Sequence, residues 1–335
     1  MTEAADCRAA IRLLVCMCLL FTALPGAAEE YRAPRTPWGH PDLQGLYVNT
    51  TLTPFERPEA LGDKAFLTAE EAAALEKQRA EMISGAADSG PQRTEAGGRV
   101  GAYNLHWLEL GTRVVGDRRT SLVVDPPDGR VPVRPEAEAE RDRRFTEMFE
   151  DYVHMSVWDR CITRGVPGGF FPAGYNNSYR IFQTPEYVAI YFEMIHNVRV
   201  IPLDGRDHVA SDIRLWNGDS RGRWEGDTLV VETRNFTDKG WIATSGSQGR
   251  IKGIPQTADA LVVERFTRVD EGTIDYRVTV EDPAVYTAPW TAAVPLYTEP
   301  GYEMFEYACH EGNWAVRNTL SGARAQEGSP PSGGQ

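Results

Sequence analysis

The chain has 335 residues, 41% hydrophobic and 25% charged, with a formal net charge of −13 at pH 7. That length and apolar content suffice for the core of one large domain or two small ones. The acidic balance argues against nucleic acid or an anionic membrane surface as partner.

In chain order, Arg8 and Arg12 precede an apolar run at residues 13–24, which leads into the small residues Ala27 and Ala28. A basic region, a short apolar core and small residues in that order predict a secretory signal over residues 1–28. The run is too short to cross a hydrocarbon core of roughly 30 Å comfortably, although an uncleaved anchor is the alternative. The expected location is periplasmic or secreted, with no membrane span after signal cleavage. Cleavage changes the cysteine inventory, because Cys7, Cys16 and Cys18 leave with the leader. Cys161 and Cys309 remain, and two cysteines in an exported chain read as one disulfide. The alternative is a pair of buried thiols that never meet.

Residues 29–66 are rich in proline and turn formers and predict an N-terminal arm over the main body. Residues 67–324 form the expected single domain, and 325–335 have the composition of a disordered tail. At the start of the domain Thr68 and Glu71 have capping-box spacing before "AEEAAALEKQRAEMIS", which predicts a helix. "RPEAEAERDRRFTEMFEDY" predicts a second helix, charged enough to lie on the surface. The rest reads as strand and turn. "TSLVVDPPDGRVPV", "RGRWEGDTLVVET" and "LVVERFTRVDEGTIDYRVTVED" are read as hairpins, the last two around acid–glycine turns. Strands in succession without intervening helices imply an antiparallel meander that must close or stack to hide its edges. The predicted fold is mainly β, a lipocalin-like barrel with two short surface helices, with a β-sandwich as runner-up.

"DRRTSLVVDPPDGR", "DRCITRG", "AGYNNSYRIFQTPEYV", "EMIHNVRVIPLDGR", "NGDSRGRWEGDTLVVET" and "YACHEGN" together carry a resemblance. From roughly Trp38 to Arg324 the chain resembles a broad family of exported proteins of environmental bacteria. The resemblance implies one exported domain and brings no activity with it.

Strand alternation through "VAIYFEMIHNVRVIPL" predicts Tyr191, Glu193, Asn197 and Arg199 on one face, with Phe192, Met194, His196 and Val198 on the other. A histidine alone on an apolar face is ordinarily a core residue satisfied by one hydrogen bond. Its functional reading is a proton-transfer group tuned by a cavity wall. Glu193 and Arg199 read either as a solvated ion-pair stripe or as polar groups lining a lumen. Arg119 reads as a rim arginine or as an anion contact through paired N–H groups. Asn177 and Tyr179 belong either to a self-bonded turn or to a loop that positions substrate. Glu225 reads as a turn residue and Trp224 as a core anchor.

In "YEMFEYACHEGNW", adjacent Cys309 and His310 would point to opposite faces of a strand, which disfavours a shared metal site or a cysteine–histidine nucleophile. His310 or Glu311 then stands near a rim as acid or base. No phosphate-cradling loop, haem motif or nucleophile elbow is evident, so the expectation is no cofactor and no metal. The functional expectation is an exported, cofactor-independent lyase, dehydratase or isomerase acting on a small, largely apolar or aromatic molecule in a barrel cavity. Its acid–base groups would be His196, His310, Glu193 and Glu311, with Arg119, Asn177 and Tyr179 binding substrate. The alternative is a non-catalytic binding protein for a lipophilic or aromatic ligand.

Overall fold

The β-strand at Thr273–Glu281 shows how this chain builds a sheet. Ile274, Tyr276, Val278 and Val280 are buried while Arg277 and Glu281 are exposed, the period-two pattern of a strand with one face on a core. The computed structural model describes residues 31–88, 108–109 and 111–328; the expected leader at 1–28 and residues 329–335 of the tail expected at 325–335 lie outside them, whereas residues 325–327 are helical. Its strands are β1 (Gly45–Val48), β2 (Val123–Asp125), β3 (Ser178–Gln183), β4 (Tyr187–Phe192), β5 (Val198–Pro202), β6 (Asp219–Glu225), β7 (Thr228–Arg234), β8 (Gly240–Trp241), β9 (Pro255–Gln256), β10 (Leu261–Arg268), β11 (Thr273–Glu281) and β12 (Trp290–Thr298). The helices are α1 (Ala69–Asp88), α2 (Pro135–Glu147) and α3 (Ala315–Glu327).

Nine strands run in the order β5-β4-β3-β1-β12-β11-β10-β7-β6, all neighbours antiparallel. The terminal strands β5 and β6 lie beside each other, so the sheet curls into a nearly closed, barrel-like shape. Closure hides the edges that an open sheet would present. Gly222 on β6 makes the approach possible, because a Cβ there would stand 2.7 Å from Leu203 and 2.9 Å from Ile201 at the end of β5. Arg199 of β5 crosses the same seam and donates to Ser220 Oγ of β6 at 3.0 Å. It also makes a bidentate pair with Glu264 of β10 at 2.9 and 2.5 Å. Tyr276 of β11 donates to that carboxylate at 3.0 Å.

The interior is packed. Residues 163–176 run inward between β2 and β3 in sequence and insert Phe170, whose ring contacts Tyr179, Phe192, Phe266 and Tyr276 at centroid distances of 4.5–5.5 Å. Burying aromatics of this size supplies much of the driving force for folding.

Several sequence expectations hold. Glu71 N–H donates to Thr68 Oγ1 at 3.2 Å and Thr68 N–H to Glu71 Oε2 at 2.8 Å, the reciprocal capping box that starts α1. The β6–β7 hairpin turns at Gly226, with φ 59°, and β10 pairs with β11 around residues 269–272. Others are corrected. β2 pairs with β12 rather than with residues after its own turn. Residues 29–66 do more than wrap the body, since they supply β1 between β3 and β12. Trp224 packs against the core as expected, but from its margin: it is half-buried and its outer side stacks on His40 at 4.9 Å. Residues 302–314 form turns and irregular chain, and α3 follows them.

Candidate functional site

The stretch 187–202 is not one strand. β4 ends at Phe192 and β5 begins at Val198, with a tight turn between. The turn forces Ile195 (φ 63°) and His196 (φ 42°) into the left-handed region. A β-branched residue there is a conformational outlier that only a strongly determined surrounding sustains. Cys161 (φ 56°) and Asn176 (φ 51°) adopt the same region nearby. Such strain concentrates at functional sites more often than on plain scaffold. The turn also resets the alternation, so the predicted sharing of one face by Glu193 and Arg199 fails. Arg199 points into the barrel interior, and Glu193 sits in the turn beneath the C-terminal segment.

Glu193 is 1% exposed. Both of its carboxylate oxygens accept from the Tyr302 phenol, at 2.9 and 2.8 Å, and Oε1 accepts from the Phe305 N–H at 3.2 Å. Among the described residues it forms no ion pair with a cation. Loss of hydration raises its proton affinity above the usual carboxylate range; Tyr302, the Phe305 N–H and Asn176 offset part of that, and the nearby Glu109 adds to it. Burial also raises the Tyr302 phenol, and its bond to Glu193 raises it further. Asp282 is raised by burial too, but the Thr257 N–H and hydroxyl hold its oxygens at 2.9 and 3.0 Å, a bracing role.

Tyr302 forms part of the wall of a cavity of about 240 Å³ with Thr50, Glu109, Thr112, Ser178 and Glu299. A wider opening of about 500 Å³ shares Thr50, Thr112 and Glu299 and adds Arg113 and Tyr297. A desolvated carboxyl thus stands one phenol away from a polar groove. In chemical terms this is a proton acceptor or donor held in reserve behind a relay hydroxyl.

The disulfide positions the segment that carries Tyr302. Cys161 and Cys309 are bonded across a sequence separation of 148 residues, with Cα atoms 5.5 Å apart. Asn313 Nδ2 donates to the Asp159 carbonyl at 3.0 Å beside it. His196 Nδ1 lies 3.1 Å from the Tyr307 carbonyl oxygen, so the strained turn and the stapled segment brace each other.

The other predicted site residues disperse. His196 is exposed and spends Nδ1 on a backbone carbonyl, and His310 and Glu311 are exposed in turns after the disulfide. Arg119 donates to Asp117 at 2.8 Å and to the Ala293 carbonyl at 2.7 Å. Asn177 closes its own loop, accepting from Ala173 N–H at 2.8 Å and donating to Ala173 O at 3.0 Å. Tyr179 is buried in the aromatic core. Of the four acid–base candidates only Glu193 is buried, and its contact is Tyr302 rather than a histidine. Tyr302 opens the "YEMFEYACHEGNW" stretch, so that stretch marks the site through its first residue rather than through Cys309–Glu311.

Comparison of the chain with family models, with curated proteins and with solved structures gave no match in any of the three.

Proposed function

We propose that the protein is an exported, cofactor-independent acid–base enzyme of lyase, dehydratase or isomerase type, with Glu193 as its proton-holding group and Tyr302 as the relay. The observation that carries this reading is a carboxyl buried without a cation, bonded on both oxygens by a phenol that lines a groove. In the proposed step, the proton of a carbon acid in the groove passes to the Tyr302 oxygen while the phenol hands its own proton to Glu193. The substrate is left as the anion and Glu193 neutral. Return of the proton at another atom gives isomerisation; loss of a leaving group gives elimination. The groove walls combine threonine, serine, tyrosine, carboxylate and Arg113 with the apolar Val48 and Val114, which suits a small molecule bearing hydroxyl groups on an apolar frame rather than the largely apolar or aromatic one expected from sequence. Export is supported by the Cys161–Cys309 disulfide, since such bonds persist in oxidising compartments.

The test works before the substrate is identified. In D2O, wild type should wash deuterium into at least one member of a panel of hydroxylated carbon acids, followed by proton NMR. Glu193→Gln should slow that exchange by about 10²–10⁴-fold, the usual contribution of a positioned acid–base group. Absence of exchange by wild type, or equal rates in the variant, contradicts the reading. Binding of a panel member without exchange would identify a carrier instead.

A further inference from the structure

Beside the Glu193 turn, a small space remains between residues 163–176 and the barrel wall. Its volume is about 10 Å³, room for one water-sized occupant. Arg164, Asn176, Met194, Asn197, Arg199 and Asn217 line it. Two guanidinium groups therefore face one small cavity, and they are treated differently. Arg199 is fully engaged, with Glu264, Ser220 and Thr233 taking its N–H groups.

Arg164 is 5% exposed. Its Nη2 donates to the Phe171 carbonyl at 2.9 Å, and its guanidinium lies 5.8 Å from the centre of the Trp158 ring. Its Nε is buried with no hydrogen-bond partner. No ion pair holds it among the described residues. Glu109 is the carboxylate whose charge reaches it, and Glu109 Oε2 is spent on the Asn177 N–H at 2.8 Å. Burial lowers the Arg164 proton affinity, to about 10, which leaves it cationic at neutral pH. A buried cation without a counter-charge is costly, and arginine does not escape by losing its proton. The amides of the wall do not supply the missing charge. Asn197 Nδ2 and Asn217 Oδ1 are both committed to Thr163 Oγ1, at 3.1 and 2.8 Å.

We propose that this cavity is a binding site for one small monovalent anion of chloride size, held by the Arg164 guanidinium. Chloride is somewhat larger than water and enters with a small outward shift of the flexible Met194 side chain that lines the space; a carboxylate or phosphate group is too large even then. A lone water is the rival occupant: it would satisfy Nε but not the charge. The proposal is independent of proton transfer at Glu193, and its test does not involve activity.

The mature chain, crystallised and soaked in bromide, should show an anomalous peak within hydrogen-bond reach of Arg164 Nε. In solution, replacing fluoride by bromide at constant ionic strength should raise Tm with single-site saturation. Sulfate should not substitute for bromide. Arg164→Gln should abolish the bromide-dependent rise, and Arg164→Lys should retain a weakened one. Absence of the anomalous peak, or an equal bromide response in Arg164→Gln, would overturn the assignment and leave a water site. Should Arg164→Gln fail to fold, the crystallographic peak decides the matter alone.

Discussion

Glu193 and Arg199 leave the same β4–β5 connection and end in opposite electrostatic situations. Arg199 enters the barrel and meets a carboxylate, two hydroxyls and, through Glu264, the Tyr276 phenol. Glu193 meets a phenol and a backbone N–H. The first arrangement neutralises itself and reads as architecture at the barrel seam. The second leaves a titratable group without a counter-charge and with a raised proton affinity, the property on which the proposed proton transfer rests. At the seam, removing one partner of the buried pair strands the other charge, so Arg199→Met or Glu264→Leu alone should each cost about 3–5 kcal/mol in denaturant unfolding. The double variant should cost less than the sum of the two, because no unpaired charge remains. Additive losses would mean that the two groups do not act as a pair.

At the scale of elements, the C-terminal segment after β12 is the part that assembles the site. It has no strand among the described residues, yet it carries Tyr302 onto Glu193, lays the Tyr307 carbonyl against His196 and is stapled at Cys309 by the disulfide before α3 begins. Replacing Cys161 and Cys309 by serine should cost about 2–5 kcal/mol of stability, the range expected for loss of a native cross-link. It should also release the cover over Glu193, so that its titration moves back toward 4.5, the ordinary value. Unchanged titration in a folded variant would show that the segment holds without the bond. This element also marks where sequence reading stops. The disulfide is legible because Cys161 and Cys309 are the two cysteines outside the expected leader, and the capping box and acid–glycine hairpins are legible because their signals are local. The opposite faces assigned to Cys309 and His310 rest on a strand that does not form. The faces assigned to residues 193–199 are lost at a turn whose left-handed residues are isoleucine and histidine, not the glycine that announces such a bend. Arg164, within the motif "DRCITRG", carries no local mark of burial; only the inward course of residues 163–176 reveals it.

Across the whole molecule, strand alternation and turn chemistry make the mainly β, barrel-like class readable, whereas the filling of its interior is not. Phe170 reaches the centre from an irregular segment, and no periodicity connects it to the strands it packs against. The proposed chemistry is therefore assigned to the groove beside β1 and the C-terminal segment rather than to the expected central cavity. Because the folded protein holds the Glu193 proton more tightly than the unfolded chain, at 4.5, does, this group favours the fold most at low pH. Its contribution declines as pH rises from the unfolded value through the raised folded one, by about 1.4 kcal/mol for each unit of elevation. The most direct measurement is the titration of the Glu193 side-chain carboxyl by carbon NMR of glutamate-labelled protein, assigned by its loss in Glu193→Gln. The midpoint should lie above the ordinary 4.5 and move higher still in Tyr302→Phe, which removes a donor to the ionised form. A midpoint at or below the ordinary value, indifferent to Tyr302, would contradict the role given to this pair.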